Sequence, residues 1–192
     1  MVFDSTTLEN TLIMLGQRLA QSKQHYEVVA IGGGSLVLLG HIDRTTKDLD
    51  LVAIMNAGRL ISANPLPQAL LKEIIAVGTA LELGEHWINE GPSSLLETGL
   101  PDGFMKRLIT RKYGGLTIHF AGRLDQICFK LYAAVDQGPK SKHFADLLRL
   151  KPTFDELLIA KNWCLTQDVS DEFSTMLAEA LSALGVQDGN SK

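Results

Sequence analysis

The sequence predicts an α/β (α+β) fold, a small sheet flanked by helices and followed by a helical C-terminal portion. Three observations carry this expectation. A hydrophobic segment, Glu27-Val28-Val29-Ala30-Ile31, runs into Gly32-Gly33-Gly34-Ser35 and then Leu36-Val37-Leu38-Leu39, ended by Gly40: strand, glycine turn, short helix. The segment 44–51 alternates as an extended strand does. From residue 124 onward the apolar residues fall at helical spacing.

Taken in order, Leu8, Leu12, Leu15 and Leu19 mark an amphipathic helix over about Ser5–Gln21, packed under the sheet. Residues 27–54 form the strand–turn–helix–strand unit. Pro65 and Pro67 open a helix through Leu70, Leu71, Ile74, Ile75 and Val77, proline being tolerated in a first turn. Residues 84–115 are rich in glycine, proline and serine and read as irregular with short helical pieces, His86-Trp87-Ile88-Asn89 among them. Long loops of this kind are often functional, and this one is a candidate cover for an active site. Leu116-Thr117-Ile118-His119-Phe120 alternates and reads as a third strand. Helices follow over 124–135, broken by Gly138-Pro139, and over 142–150. Thr153-x-x-Glu156 is a capping box for a helix reaching Thr166. Ser170 caps a last helix with Leu177, Leu181 and Leu184, stopped by Gly185. The expected division is a core of 1–135 with its N-terminal helix, a helical portion 136–186, and a frayed tail 187–192.

At 192 residues and 45% hydrophobic, the chain suits one domain, or a domain with a helical appendage. A net charge of −4 argues against a general nucleic-acid binder. Lys106, Arg107, Arg111 and Lys112 are the candidate basic patch, weighed against a solvated loop with a few cations. Cys128 and Cys164 sit in apolar helical patterns without metal-ligand spacing and read as buried, reduced thiols. The polar, acidic start does not resemble a signal peptide, and no apolar run approaches a membrane span, so a cytoplasmic protein without membrane contact is expected.

Strand, glycine turn and helix is a phosphate-cradling arrangement, because bare backbone N–H groups face an anion with no side chain in the way. In an extended strand Arg44, Thr46, Asp48 and Asp50 share one face, with Leu49 and Leu51 on the other. A cation, a hydroxyl and two carboxylates beside a phosphate turn are the chemistry of a metal-bound nucleoside triphosphate. Each piece has a plainer reading. Glycine clusters mark turns, Ser35 caps a helix, two acids decorate a solvated strand edge, and Arg44 neutralises a carboxylate without metal. Yet two like charges on one strand face repel, and Mg²⁺, commonly held by one or two carboxylates plus phosphates, compensates them. Together, in this order, the set favours a nucleotide–metal site. A dinucleotide-binding domain fits poorly, since the glycines lack that spacing and an Asp-x-Asp segment stands in place of a lone ribose-binding acid.

Gly33-Gly34-Ser35 followed by Asp48-x-Asp50 resembles the signature of the polymerase-beta-type nucleotidyltransferase fold. With Arg44 and Thr46 ahead of the acids, it is similar to the branch containing abortive-infection-type nucleotidyltransferase toxins and their uncharacterised relatives. Phe129-Lys130-Leu131-Tyr132-Ala133-Ala134 and Lys142-His143-Phe144-Ala145-Asp146-Leu147 resemble that branch's later motifs. Lys142-His143 stands where those proteins commonly carry Arg-Asp or Lys-Asp, so Asp146 is the better match. The likeness runs over roughly residues 27–150.

The resemblance implies a small mixed sheet, Mg²⁺ at Asp48 and Asp50, and nucleotide binding by Gly33, Gly34, Ser35, Arg44 and Thr46. It also implies catalytic parts for Asp48, Asp50, Lys130 and Asp146, with Lys130 reaching the triphosphate as a point charge and Asp146 orienting Lys130 or the acceptor. The plainer readings are a lysine snorkelling to water and an aspartate on the surface or paired with a base such as Lys142. The wider fold commonly supplies a third carboxylate. The strand 116–120 has no acid, which leaves His119, Glu82 and Glu85 as candidate bases. The expected function is transfer of a nucleoside monophosphate from a Mg²⁺-bound nucleoside triphosphate to a hydroxyl of RNA or of a small molecule. Toxin-like action with a cognate antitoxin follows from the resemblance. The alternative is a catalytically inactive member of the fold that binds a nucleotide or a protein partner.

Overall fold

A computed structural model describes residues 2–186, and the tail expected to fray at 187–192 lies outside the described residues. The chain divides into two units, Met1–Gly122 and Arg123–Lys192. The division falls ahead of the helix that the expected boundary at 135 assigned to the core. That helix, α5 (Arg123–Gln137), packs on the three helices after it, so its apolar face belongs with them.

The first unit is a mixed sheet flanked by helices, as the sequence predicts. Its helix α1 (Ser5–Gln21) starts where the Asp4 carboxylate accepts the Thr7 N–H at 2.7 Å, and it buries Leu8, Leu12, Leu15 and Leu19 along one stripe. Strand β1 (Tyr26–Ile31) leads into α2 (Gly32–Leu38), then β2 (Leu49–Asn56), β3 (Arg59–Ser62) and α3 (Gln68–Ala80). A two-residue strand β4 (Ile88–Asn89), the short helix α4 (Leu95–Thr98), β5 (Ile109–Tyr113) and β6 (Leu116–Phe120) complete the unit. The sheet order is β3-β2-β1-β6-β5, with β4 beside β2; β1 runs antiparallel to β2 and parallel to β6. Val28, Ala30, Leu51, Ile118 and Phe120 face α1 and α3 in one core with Leu70, Ile74 and Trp87.

Four features differ from the sequence expectation. The strand expected over 44–51 begins only at Leu49, because Thr46 exchanges backbone hydrogen bonds with Phe3 (2.6 and 2.8 Å) and the chain before it arches as a loop. Arg44, Thr46, Asp48 and Asp50 therefore do not share one strand face. Strand β3 arises from a hairpin whose turn residues, Ala57 and Gly58, both have positive φ (48° and 75°), the requirement of a two-residue turn matching strand twist. Strand β5 arises from a second hairpin, turned at Gly114-Gly115, where Gly114 has φ 62°. His86-Trp87-Ile88-Asn89 is not helical. The Leu49 N–H donates to the Trp87 carbonyl at 2.8 Å and the buried Trp87 indole to the Ile74 carbonyl at 2.9 Å, so pairing with β2 prevails.

In the second unit, α5 is followed by α6 (Lys142–Leu150), α7 (Phe154–Gln167) and α8 (Asp171–Ala183), capped by Ser141, Thr153 and Ser170. The Thr153–Glu156 capping box is present. Burial raises the Glu156 pKa, but hydrogen bonds from Arg123 (2.9 and 3.2 Å) and from the Thr153 N–H outweigh it and hold the carboxyl below its ordinary value. Trp163 meets Phe129 and Tyr132 edge-on, at ring separations of 5.4 and 5.9 Å. Cys128 and Cys164 are buried, and burial pushes the Cys164 thiol up. Among the described residues, no helix is long and apolar enough to cross a membrane.

Helix α1 docks on the β5–β6 hairpin at Gly16, whose carbonyl accepts the Gly115 N–H at 2.8 Å. A Cβ on Gly16 would fall on the Tyr113 carbonyl. Gly16→Ala is expected to cost about 1–3 kcal/mol by overpacking, read as a lowered urea midpoint. An unchanged midpoint would contradict this close approach.

Candidate functional site

Three consecutive glycines at the start of α2 each lie against a different part of the segment 44–50, the loop before β2 and the first two residues of that strand. Gly32 has φ +80°, and a Cβ there would strike the Asp50 carboxylate. A Cβ on Gly33 would lie 2.6 Å from the Arg44 guanidinium and 3.4 Å from the Thr46 hydroxyl. One on Gly34 would lie 2.6 Å from the Asp48 carbonyl and 3.0 Å from the Leu49 side chain. The glycine run is thus a surface of bare backbone against which the candidate residues lie. Ser35 neither caps the helix nor faces outward. It is fully buried, and its hydroxyl donates to the Ile31 carbonyl at 2.9 Å, one turn back.

The register of the sheet places Asp50 between Ile31 of β1 and Asn89 of β4. Its Oδ1 accepts a hydrogen bond from Asn89 Nδ2 at 3.1 Å, and Asn89 Oδ1 accepts one from the Gly91 N–H at 3.0 Å. Asp48 stands just ahead of β2, where its carbonyl accepts the Thr46 hydroxyl at 3.2 Å. Arg44 donates to the Thr45 carbonyl at 2.7 Å. Asp48, Asp50 and Arg44 are half-buried and Thr46 is buried. The structure therefore brings Gly33, Gly34, Arg44, Thr46, Asp48 and Asp50 together, through loop packing rather than strand alternation. Among the described residues, no group of three or more His, Cys, Asp and Glu side chains is placed to hold a metal. Two carboxylates with water and phosphate oxygens remain an ordinary donor set for Mg²⁺, which keeps several waters and takes one or two protein carboxylates.

The candidate bases do not join this group. His119 on β6 is two strands from β2 and level with Val29, not with Ile31. Its Nδ1 pairs with the Thr110 hydroxyl at 2.8 Å and its Nε2 with the Glu27 carboxylate at 2.9 Å. Glu82 and Glu85 are exposed on the loop after α3. The candidate basic patch is split as well. Arg111 lies 5.9 Å from the Phe120 ring centre and bonds Glu9 of α1 at 2.9 Å, while Lys112, the next residue of the strand, is exposed. Glu9 also accepts the Tyr113 hydroxyl at 3.0 Å, and burial together with that carboxylate pushes the Tyr113 pKa up to about 12.

In the helical unit, Lys130 of α5 meets Asp146 of α6 at 2.8 Å, with 4% and 0% of the side chains exposed. Arg149 approaches the other Asp146 oxygen at 3.9 Å. Neither Lys130 nor Asp146 is the surface residue of the plainer reading, and Lys130 takes the place expected of Lys142. Asn89, Thr110 and Glu27 were not marked by sequence reasoning. A two-residue strand has no period to detect, and cross-strand partners on separate strands share no local pattern.

A family model described as "Nucleotidyltransferase of unknown function (DUF6036)" matches residues 10–140, and the chain belongs to that family. No curated protein and no solved structure matches it. The matched residues include the glycine run, both aspartates and Lys130 but stop short of Asp146, so the buried pair calls for its own test. Asp146→Asn removes the counter-charge of a buried lysine and is expected to destabilise the protein by about 3–5 kcal/mol, whereas Lys130→Met with Asp146→Leu is near neutral. Urea unfolding followed by tryptophan fluorescence separates the two, and an unchanged midpoint in Asp146→Asn would contradict the pairing.

Proposed function

We propose that this nucleotidyltransferase-family protein takes a nucleoside triphosphate with Mg²⁺, transfers the nucleoside monophosphate to a hydroxyl acceptor and releases pyrophosphate. The observation that carries the reading is the packing of the segment 44–50 on the glycine run. It sets the Asp50 carboxylate, the Arg44 guanidinium, the Thr46 hydroxyl and the Asp48 carbonyl against backbone that carries no side chains, with Asp48 two residues from Asp50. Asp48 and Asp50 are assigned to the metal, which when bound neutralises charge on the phosphates. Arg44, Thr46 and the backbone at Gly33 and Gly34 are assigned to the phosphates, with Ser35 holding the start of α2 by its bond to Ile31. In the transfer, the acceptor hydroxyl oxygen bonds the α-phosphorus as the bond from that phosphorus to the leaving pyrophosphate oxygen breaks, and the hydroxyl proton passes to water. For Lys130 and Asp146 a catalytic part is retained, tested by the apolar double variant: stability kept, transfer lost.

The finer reading, a toxin-like cytoplasmic protein acting on RNA and restrained by an antitoxin, rests on motif resemblance. The net charge of −4 instead favours a small-molecule hydroxyl. A second reading, an inactive member of the fold that binds a nucleotide or a protein partner, is favoured by one observation: His119, the candidate base of β6, is tied to Thr110 and Glu27.

Calorimetric titration with each of the four nucleoside triphosphates, with and without Mg²⁺, decides between them. Metal-dependent binding of at least one triphosphate, lost in Asp48→Asn/Asp50→Asn, is expected. No binding under any condition, or binding indifferent to both metal and substitution, would overturn the catalytic reading.

A further inference from the structure

We infer that Asn89 is a positioning residue for the Asp50 carboxylate, an inference that rests on the reading of Asp50 as a metal ligand. Strand β4 consists of Ile88 and Asn89 alone and adds in parallel to β2 at Leu49 and Asp50. The pairing thereby sets Asn89 directly beside Asp50. The segment is anchored on its N-terminal side, where Trp87 bonds both α3 and β2 (2.9 and 2.8 Å), and Ile88 is buried.

The orientation of the Asn89 amide follows from its partners. Its oxygen accepts the Gly91 N–H at 3.0 Å, so the –NH₂ group is the end turned to Asp50 Oδ1 at 3.1 Å. Asp50 Oδ2 lies against the Cα of Gly32, where a Cβ would collide with it. One oxygen is thus held by an amide, while the other occupies the space that the missing Gly32 side chain leaves open. Hydrogen-bond partners behind a liganding carboxylate act by orienting it, and removing one typically costs 10–100-fold in metal affinity. Asn89 also ties the short 3-10 helix at Gly91–Ser94 to the Asp50 carboxylate.

The test is the Mg²⁺ dependence of thermal stabilisation of the full chain by an equimolar mixture of the four nucleoside triphosphates. In Asn89→Ala the Mg²⁺ midpoint is expected to rise about 10–100-fold, with the full shift recovered at high Mg²⁺ and little change without ligand. Asp50→Asn is expected to lose the shift altogether. Asn89→Ser, which keeps a small polar side chain, serves if the alanine variant does not fold, with the same expectation. A wild-type midpoint in the variant, alone or with lowered ligand-free stability, overturns the inference while Asp50→Asn still upholds the metal site. No Mg²⁺-dependent shift in the wild type overturns both.

Discussion

The close approach of the segment 44–50 to the backbone of Gly32, Gly33 and Gly34 is the constraint on which the rest of the nucleotidyltransferase-like unit depends. Any Cβ at these three positions would meet a carboxylate, a guanidinium or a carbonyl at separations that real side chains do not tolerate. Beyond this segment β2, which starts at Leu49, pairs Asp50 with Ile31, the last residue of β1. The same register offers Asp50 to β4 on its other side. Fold and site are therefore one packing event. The turn that lets β1 become α2 is also the surface on which the polar residues collect.

The helical unit rests on a different balance. A buried lysine and a buried aspartate are each costly alone and tolerable as a pair. The unit also carries the edge-on aromatic contacts of Trp163 and the Arg123–Glu156 bridge, whose arginine donates to the Leu150 carbonyl at the end of α6 at 2.8 Å. Two of the interactions that organise this unit are thus ionic.

Much of this was legible in the sequence where the physical cause is local. The caps at Ser170 and Thr153, the leucine stripe of α1 and the glycine stop at Gly185 act over one or two turns, and they appear where the sequence puts them. The glycine run and the Asp-x-Asp segment read as a phosphate turn and its acids, and the structure adds a packing reason for the glycines: each makes room for a side chain or carbonyl farther along the chain. Alternation misled at 44–48, where backbone pairing of Thr46 with Phe3 outweighs strand propensity. Strand β5 carried a readable hairpin signal, Gly114-Gly115, obscured by the loop-like composition before it. Strand β4, and with it Asn89, was not legible, because its two residues are held by Trp87 and β2 and not by their own propensity. The unit boundary moved for a similar reason, as the partners of α5 come later in the chain.

The most direct measurement is a crystal structure of the full chain with Mn²⁺ and a non-hydrolysable triphosphate, read at the manganese anomalous edge. The account predicts a manganese peak in contact with both Asp48 and Asp50, with the triphosphate oxygens beside Arg44 and Gly33. A triphosphate bound elsewhere, or manganese away from both carboxylates, would contradict it.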